Sequence, residues 1–210
     1  MVTRATAQKP IRDADAMRER ILAAVGRMIV RDGLASVGIN ALAREAGCDK
    51  VLIYRYFDSL EGVYAAFAER NDIYWTVGEI TAGIDPARMP AAEAGKLILR
   101  RTVTAIRSRP ITLAVMAAEP VERTALVIAL ETVRERRGLE LAGWLAAHLQ
   151  MPKHLDFWTI SMLLSSGMGY LAIRARKIRV MGGIPIKTDK DWERIFAAAD
   201  QVIDLMFQTA

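Results

Sequence analysis

Lys50, Val51, Tyr54 and Arg55 carry the chemistry that calls for an explanation. On a wheel of 100° per residue the four fall inside an arc of roughly 140°, while Ile53, Tyr56 and Phe57 lie opposite, between roughly 240° and 340°, with Leu52 on the border. One side of such a helix offers an ammonium, a phenol hydroxyl and a guanidinium to an outside surface; the other feeds a core. The offered groups suit duplex DNA. A helix that enters the major groove by its amino-terminal half brings Lys50 and Val51 nearest the base edges, lets Tyr54 reach a phosphate oxygen, and lets Arg55 reach a phosphate or a guanine. Val51 has no polar group and reads only a thymine methyl or a shape.

Such a helix needs a partner to aim it. The stretch "INALAREAGCDKVLIYRYF" supplies one: a short helix over about 38–45, a corner, and a second short helix over about 49–57. Close crossing of two such helices requires a small side chain in the first and a left-handed residue at the corner, and Ala43 and Gly47, four residues apart, provide them. Leu42, Ala46, Cys48, Ile53 and Tyr56 then face inward, with Phe57 beside them. Cys48 reads as a small buried hydrophobe.

The rest of the composition excludes more than it selects. Of 210 residues 52% are apolar, enough to bury a core, and the formal net charge is +5. That excess is spread out: residues 1–77 hold 11 Lys/Arg against 10 Asp/Glu, so charge alone does not locate a nucleic-acid surface. The lone cysteine excludes an intrachain disulfide and fits a reducing cytoplasm, and "MVTRATAQKPIRDADAMRER" lacks the apolar run of a secretory signal. His148 and His154 are six apart and share no helical face as metal ligands would; no metal and no cofactor is expected. No nucleophile with a base, paired acids or phosphate-cradling glycine loop points to an enzyme.

Helical periodicity recurs along the chain and strand alternation is absent, so the expected fold is all-α. Residues 1–14 read as a loose arm whose Arg4, Lys9 and Arg12 suit phosphates or a minor groove. A first helix runs from about Asp15 to Arg31 and stops at Gly33. After the two short helices a longer one covers about 59–77, and "GIDPARMPAAE", residues 83–93, marks a change of module. Helices follow at about 90–108, 111–118, 121–149 and 154–178, and Thr188 with Asp191 forms a capping box before the last one. That last helix sets Trp192, Ile195, Phe196, Ala199, Val202, Ile203 and Met206 on one face. Residues 157–173, uncharged and followed by Arg174, Arg176, Lys177 and Arg179, give the alternative reading, a membrane-associated helical protein anchored there; the segment barely reaches spanning length, and a soluble helix–helix interface is the reading adopted, with no membrane partner.

Residues 15–67 resemble the TetR family of bacterial transcriptional regulators. The likeness lies in a helix ending in glycine, an apolar-x-x-apolar-Ala-x-x-Ala-Gly run, and "KVLIYRYF" followed by "DSLE". It implies a three-helix DNA-binding head with the helix-turn-helix at about 38–57, and a helical carboxy-terminal domain, expected as 15–77 and 78–210. It implies DNA contacts at Asn40, Lys50, Val51, Leu52, Tyr54 and Arg55, a palindromic double-stranded operator, and repression rather than activation. It also implies a homodimer through the two carboxy-terminal helices, where Ser165, Gly167 and Gly169 permit close approach. A small-molecule effector, apolar in character, would bind among residues such as Trp75, Met116, Trp144, Trp158, Met162 and Met168; its contacts are left unassigned. Three residues depart from the family pattern. Gly38 stands where Thr or Ser caps the second helix, Asp49 where Ser opens the reading helix, and Leu60 where a phosphate-gripping Lys is frequent, so fewer phosphate contacts are available.

Overall fold

The structure, a computed structural model, describes residues 9–70 and 72–208. Ten helices and one two-stranded hairpin make up the described residues. The chain forms two compact units: one takes residues up to Arg70 together with Ala118–Val133, the other Asn71–Ala117 together with Arg134–Ala210. The division falls before both the expected end of the head at residue 77 and the Pro- and Gly-rich stretch 83–93. It also assigns a later segment to the first unit, which linear reading of a sequence cannot anticipate.

In the first unit α1 (Lys9–Asp32) packs on α2 (Ile39–Ala46) and α4 (Leu60–Ala68), and α3 (Lys50–Phe57) bridges α2 and α4. Residues 9–14 thus belong to a helix rather than to an arm; Arg4 lies outside the described residues, as do the side chains of Lys9 and Arg12. Ile21, Val25, Met28 and Ile29 form the buried stripe of α1, spaced as a helix facing a core demands. Gly33, at φ +86°, ends the helix, and a 3-10 turn over Leu34–Ser36 leads to α2. Tyr64 of α4 donates its hydroxyl to the Val37 carbonyl at 2.6 Å, tying α4 to the entry of α2; burial raises the pKa of that phenol.

The expected long helix over 59–77 stops at Ala68, the end of α4. Thr76 accepts from the Glu79 amide at 3.2 Å and opens a separate short helix, α5 (Val77–Thr81). Between α4 and α5, Ile73, Tyr74 and Trp75 are buried, and Thr112 donates its hydroxyl to the Ile73 carbonyl.

The second unit is built on α6 (Ala91–Arg107), which packs on α5, α9 (Phe157–Ala175) and α10 (Asp189–Phe207). Val103, Leu113, Met168, Ala172, Trp192, Phe196 and Ala199 make one core cluster; Trp75, Ile80, Ile98, Ala105 and Leu141 make another. Along α6, Arg100 and Arg107 lie 4.4 Å over the Phe196 and Trp192 rings and pair with Glu193 and Asp189, while Lys96 pairs with Asp204. Helix α7 (Pro110–Ala118) and α8 (Ala125–His148) complete the helices, α8 starting four residues later than its pattern suggests because the Thr124 hydroxyl accepts from the Val127 amide. Between α9 and α10, β1 (Val180–Met181) and β2 (Ile184–Pro185) pair antiparallel across Gly182–Gly183, too short a ladder to show as alternation. The capping box of Thr188 and Asp191 is present, and its backbone hydrogen bonds lower the Asp191 pKa. On α10, Trp192, Phe196, Ala199, Ile203 and Met206 are buried, but Val202 faces outward. Of the two glycines of α9, Gly169 sits in a close approach, 3.1 Å from the Met116 methyl to where a Cβ would be, and Gly167 opens to space. Among the described residues, no helix is long and apolar enough to cross a membrane.

One contact between α3 and α4 demands glycine. A Cβ on Gly62 would stand 1.9 Å from the Phe57 carbonyl oxygen, far inside contact distance. Gly62→Ala is therefore expected to lower stability by about 1–3 kcal/mol as an overpacked contact does, although alanine gains about 1 kcal/mol of helix propensity. Urea unfolding of the full chain followed by circular dichroism measures the difference.

Candidate nucleic-acid interface

The corner between α2 and α3 is set by backbone hydrogen bonds. Gly47 is left-handed at φ 62°, ψ 44°; the Cys48 amide donates to the Ala43 carbonyl at 3.0 Å and the Gly47 amide to that of Arg44 at 3.1 Å. This is the six-to-one, five-to-two pattern that closes a helix, and it favours glycine at the corner. Asp49 then starts α3, accepting from the Val51 amide at 2.8 Å. A cap of that kind contributes about 1 kcal/mol, and it places a negative charge at the tip of α3. Gly38 caps α2 with backbone alone. Ser59 accepts from the Gly62 amide at 3.0 Å, so α4 begins at Leu60 without a cation.

Two sides of α3 have opposite fates. Ile53 and Phe57 are buried, and with Leu42, Ala43 and Ala46 of α2 they form the hinge of the pair. Cys48 and Tyr56 are only half-buried, in contrast to the inward positions expected of them: they lie at the edge of the contact, where the corner and the last turn of α3 meet solvent. Partial burial still raises the Cys48 pKa, which disfavours the thiolate. On the other side Val51 is 65% and Tyr54 46% exposed, Lys50, Arg55 and Asn40 are exposed, and Leu52 is intermediate. The side chains of Asn40, Lys50, Tyr54 and Arg55 have no hydrogen-bond or ion-pair partner among the described residues. A ridge of polar groups without internal partners therefore projects from the head.

Arginines of α1, not singled out by the sequence, hold that ridge in place. Arg18 donates to the Tyr56 carbonyl and lies 4.5 Å over the Phe57 ring, at the negative end of α3. Arg20 donates to the Gly47 carbonyl at 3.0 Å. Arg27 donates to Glu45 Oε1 at 2.8 Å and to the Glu45 carbonyl at 3.3 Å, and Arg31 reaches Glu45 Oε2 at 3.0 Å. The hydrogen bonds from Arg27 first, then Arg31, lower the Glu45 pKa. The signal was the i, i+4 recurrence of arginine beside the apolar stripe, Arg27 and Arg31, which reads as a solvated flank until partners are known. Asp58, at φ 65° the single described non-glycine residue with positive φ, closes α3 and was likewise not anticipated.

The residues weighed for an effector do not share one setting. Trp75 and Met168 belong to separate core clusters, Met116 packs on Gly169, Trp144 stacks on His148 at 4.7 Å between ring centroids, and Trp158 and Met162 are exposed.

The arrangement of α1 to α3 is that of a helix-turn-helix DNA-binding head. Residues 21–67 match the family model for bacterial regulatory proteins of the tetR family. HTH-type transcriptional regulators from two strains of Mycobacterium tuberculosis are each 42% identical over 53 residues. That stretch is 25% of this chain and 26% of either relative, so the chain spans about a quarter of the length of the curated relatives it matches. Solved structures extend the likeness in fold. A TetR family transcription regulator from Marinobacter aquaeolei covers 90% of this chain and 96% of its own at TM-score 0.61 and 15% identity. A TetR family protein from Vibrio parahaemolyticus covers 89% and 97% at TM-score 0.58 and 21% identity. The head is a TetR-family DNA-binding domain, carried on an all-α chain with the fold of TetR-family regulators.

Because Glu45 is depressed in the folded state, its contribution is fully present above the ordinary glutamate value of about 4.3 and is lost as pH falls through the lower folded value. Glu45→Gln is expected to lower Tm at pH 7, with the gap to wild type narrowing as pH falls below the ordinary glutamate value. Thermal melts of the two proteins across that range measure it.

Proposed function

We propose that the protein is a ligand-responsive transcriptional regulator, not an enzyme, which binds a palindromic operator in double-stranded DNA as a homodimer and acts in the cytoplasm as a repressor. The observation that carries this reading is the exposed, internally unpartnered face of α3 behind a left-handed corner glycine. Lys50 and Val51 address base edges, Tyr54 a phosphate, Arg55 a phosphate or a guanine, and Asn40 and Leu52 flank them. The departures at Gly38, Asp49 and Leu60 reduce phosphate contacts, so affinity rests on few side chains and on the backbone amides at helix starts.

Dimerisation through α9 and α10 is supported by large apolar side chains left in water: Trp158, Met162, Leu163 and Tyr170 on α9, Val202 and Leu205 on α10. A two-fold pair of heads reads half-sites one helical turn apart, about 34 Å. A small apolar effector bound in the helical body shifts the equilibrium between dimer geometries and moves the reading helices off that spacing, which releases the operator.

Gel-shift titration on the DNA upstream of the protein's own gene tests the reading. Lys50→Ala is expected to relax base preference and Tyr54→Phe to lower affinity at all sequences. Leu60→Lys is expected to steepen the dependence of log K on log salt by about one unit. Equal binding by wild type and all three variants sinks the assignment of α3. Leu163→Asp with Leu205→Asp is expected to give monomers by sedimentation and to abolish operator binding; a dimeric double variant removes α9 and α10 from the interface.

A further inference from the structure

The positive charge of the head is divided between fasteners and free side chains. Of the eight Lys/Arg between residues 13 and 70, Arg18, Arg20, Arg27 and Arg31 bond to groups of α3, the corner and α2, and Arg70 pairs with Glu19 at 2.6 Å. The side chains of the other three, Arg44, Lys50 and Arg55, have no hydrogen-bond or ion-pair partner among the described residues. Lys50 and Arg55 belong to the reading face of α3. Arg44 belongs to α2, is exposed, and has no part in that reading. It stands one turn after Asn40, about 40° round the helix at 100° per residue. With exposed Gly47 the two make a strip along α2 that runs to the corner before Lys50, while Leu42, Ala43 and Ala46 occupy the side that packs.

We infer that Arg44 is a phosphate contact of the head, its guanidinium binding the duplex backbone at the edge of the groove that α3 enters; the inference rests on the DNA reading above. The first helix of such a pair crosses the backbone while the second enters the groove, so a long cation on the exposed strip of α2 meets phosphate oxygens rather than base edges. A guanidinium suits them, because its planar fork donates two parallel hydrogen bonds to one phosphate. The acids around it do not compete. Asp32 and Glu45 line the same shallow depression as Arg44, yet Arg31 holds Asp32 at 2.8 Å and Glu45 at 3.0 Å, and Arg27 holds Glu45 at 2.8 Å. Those ion pairs leave Arg44 free and offset the negative charge beside which a phosphate must come to rest. Gly38 and Leu60 bring no phosphate-binding side chain at the starts of α2 and α4, and Arg44 supplies a contact from the last turn of α2 instead.

The test is a salt titration of binding to the DNA upstream of the gene, with phosphate-ethylation interference, for the full chain and for Arg44→Gln and Arg44→Lys. Arg44→Gln is expected to keep the base preference, to flatten the dependence of log K on log salt by about one unit for each bound head, and to lose interference at one phosphate per half-site. Arg44→Lys, which keeps the charge, is expected to restore the slope. A Gln variant with the wild-type slope and the wild-type interference pattern overturns the inference; if Lys50→Ala still relaxes base preference in the same assay, the reading of α3 stands without Arg44. A Gln variant that melts lower but keeps the wild-type slope overturns it as well, by showing a charge that serves only the negative end of α2. So does a changed base preference, which makes Arg44 a base contact. A wild type whose binding shows no salt dependence and no base preference overturns the DNA reading and the Arg44 contact together.

Discussion

An eight-residue helix has no stability of its own in water, because nucleation costs more than so few hydrogen bonds return. The polar ridge of α3 therefore exists only because Ile53 and Phe57, on its other side, are removed from water against α1, α2 and α4. Burial of one such side chain contributes about 1.5–3 kcal/mol, and that apolar contact fixes which side of the helix is left to face outward. Apolar packing tolerates rotation, whereas hydrogen bonds do not. The guanidinia of Arg18, Arg20 and Arg27 on the Tyr56, Gly47 and Glu45 carbonyls supply direction, at the far end of α3, at the corner and at the end of α2.

The same separation of duties explains why net charge is a poor guide to this protein. Many of the cations among the described residues are spoken for. Arg18, Arg20, Arg27 and Arg31 of α1 hold the head together, Lys96, Arg100 and Arg107 of α6 lie over rings of α10 or pair with its acids, and Arg101 donates to the Ile80 and Ala82 carbonyls. What remains for an anionic partner in the head is a small set defined by position, Lys50 and Arg55 foremost, rather than by excess. A fold that uses arginine as an internal fastener can be basic overall while its head offers an anion few cations.

What could be read from the sequence was whatever is encoded by period or by residue type. The 3.6-residue spacing separated Lys50, Val51, Tyr54 and Arg55 from Ile53 and Phe57, and glycine at position 47 announced a left-handed corner. The helices of the body and the capping box at Thr188 were equally local. What escaped was set by contacts across the chain. Gly62 looks like an ordinary glycine until the Phe57 carbonyl is found where its side chain would be. The break after Ala68 hides behind apolar residues that continue a helical pattern but are buried from a turn. Val202 and Ile203 are both apolar, and no property of either says which faces the core. The apolar residues weighed for an effector stay unassigned for that reason too: tryptophan and methionine serve a core, a cavity wall and an interface alike, and here they are divided between core clusters and open surface.

Guanine N7 lies in the major groove, so its protection from dimethyl sulfate reports directly whether a helix occupies that groove. On the DNA upstream of the gene, saturating protein is predicted to protect guanines in two half-sites whose centres are about one helical turn apart. Protection confined to the minor groove, or none at a concentration that retards the fragment, would contradict the claim that α3 reads the duplex.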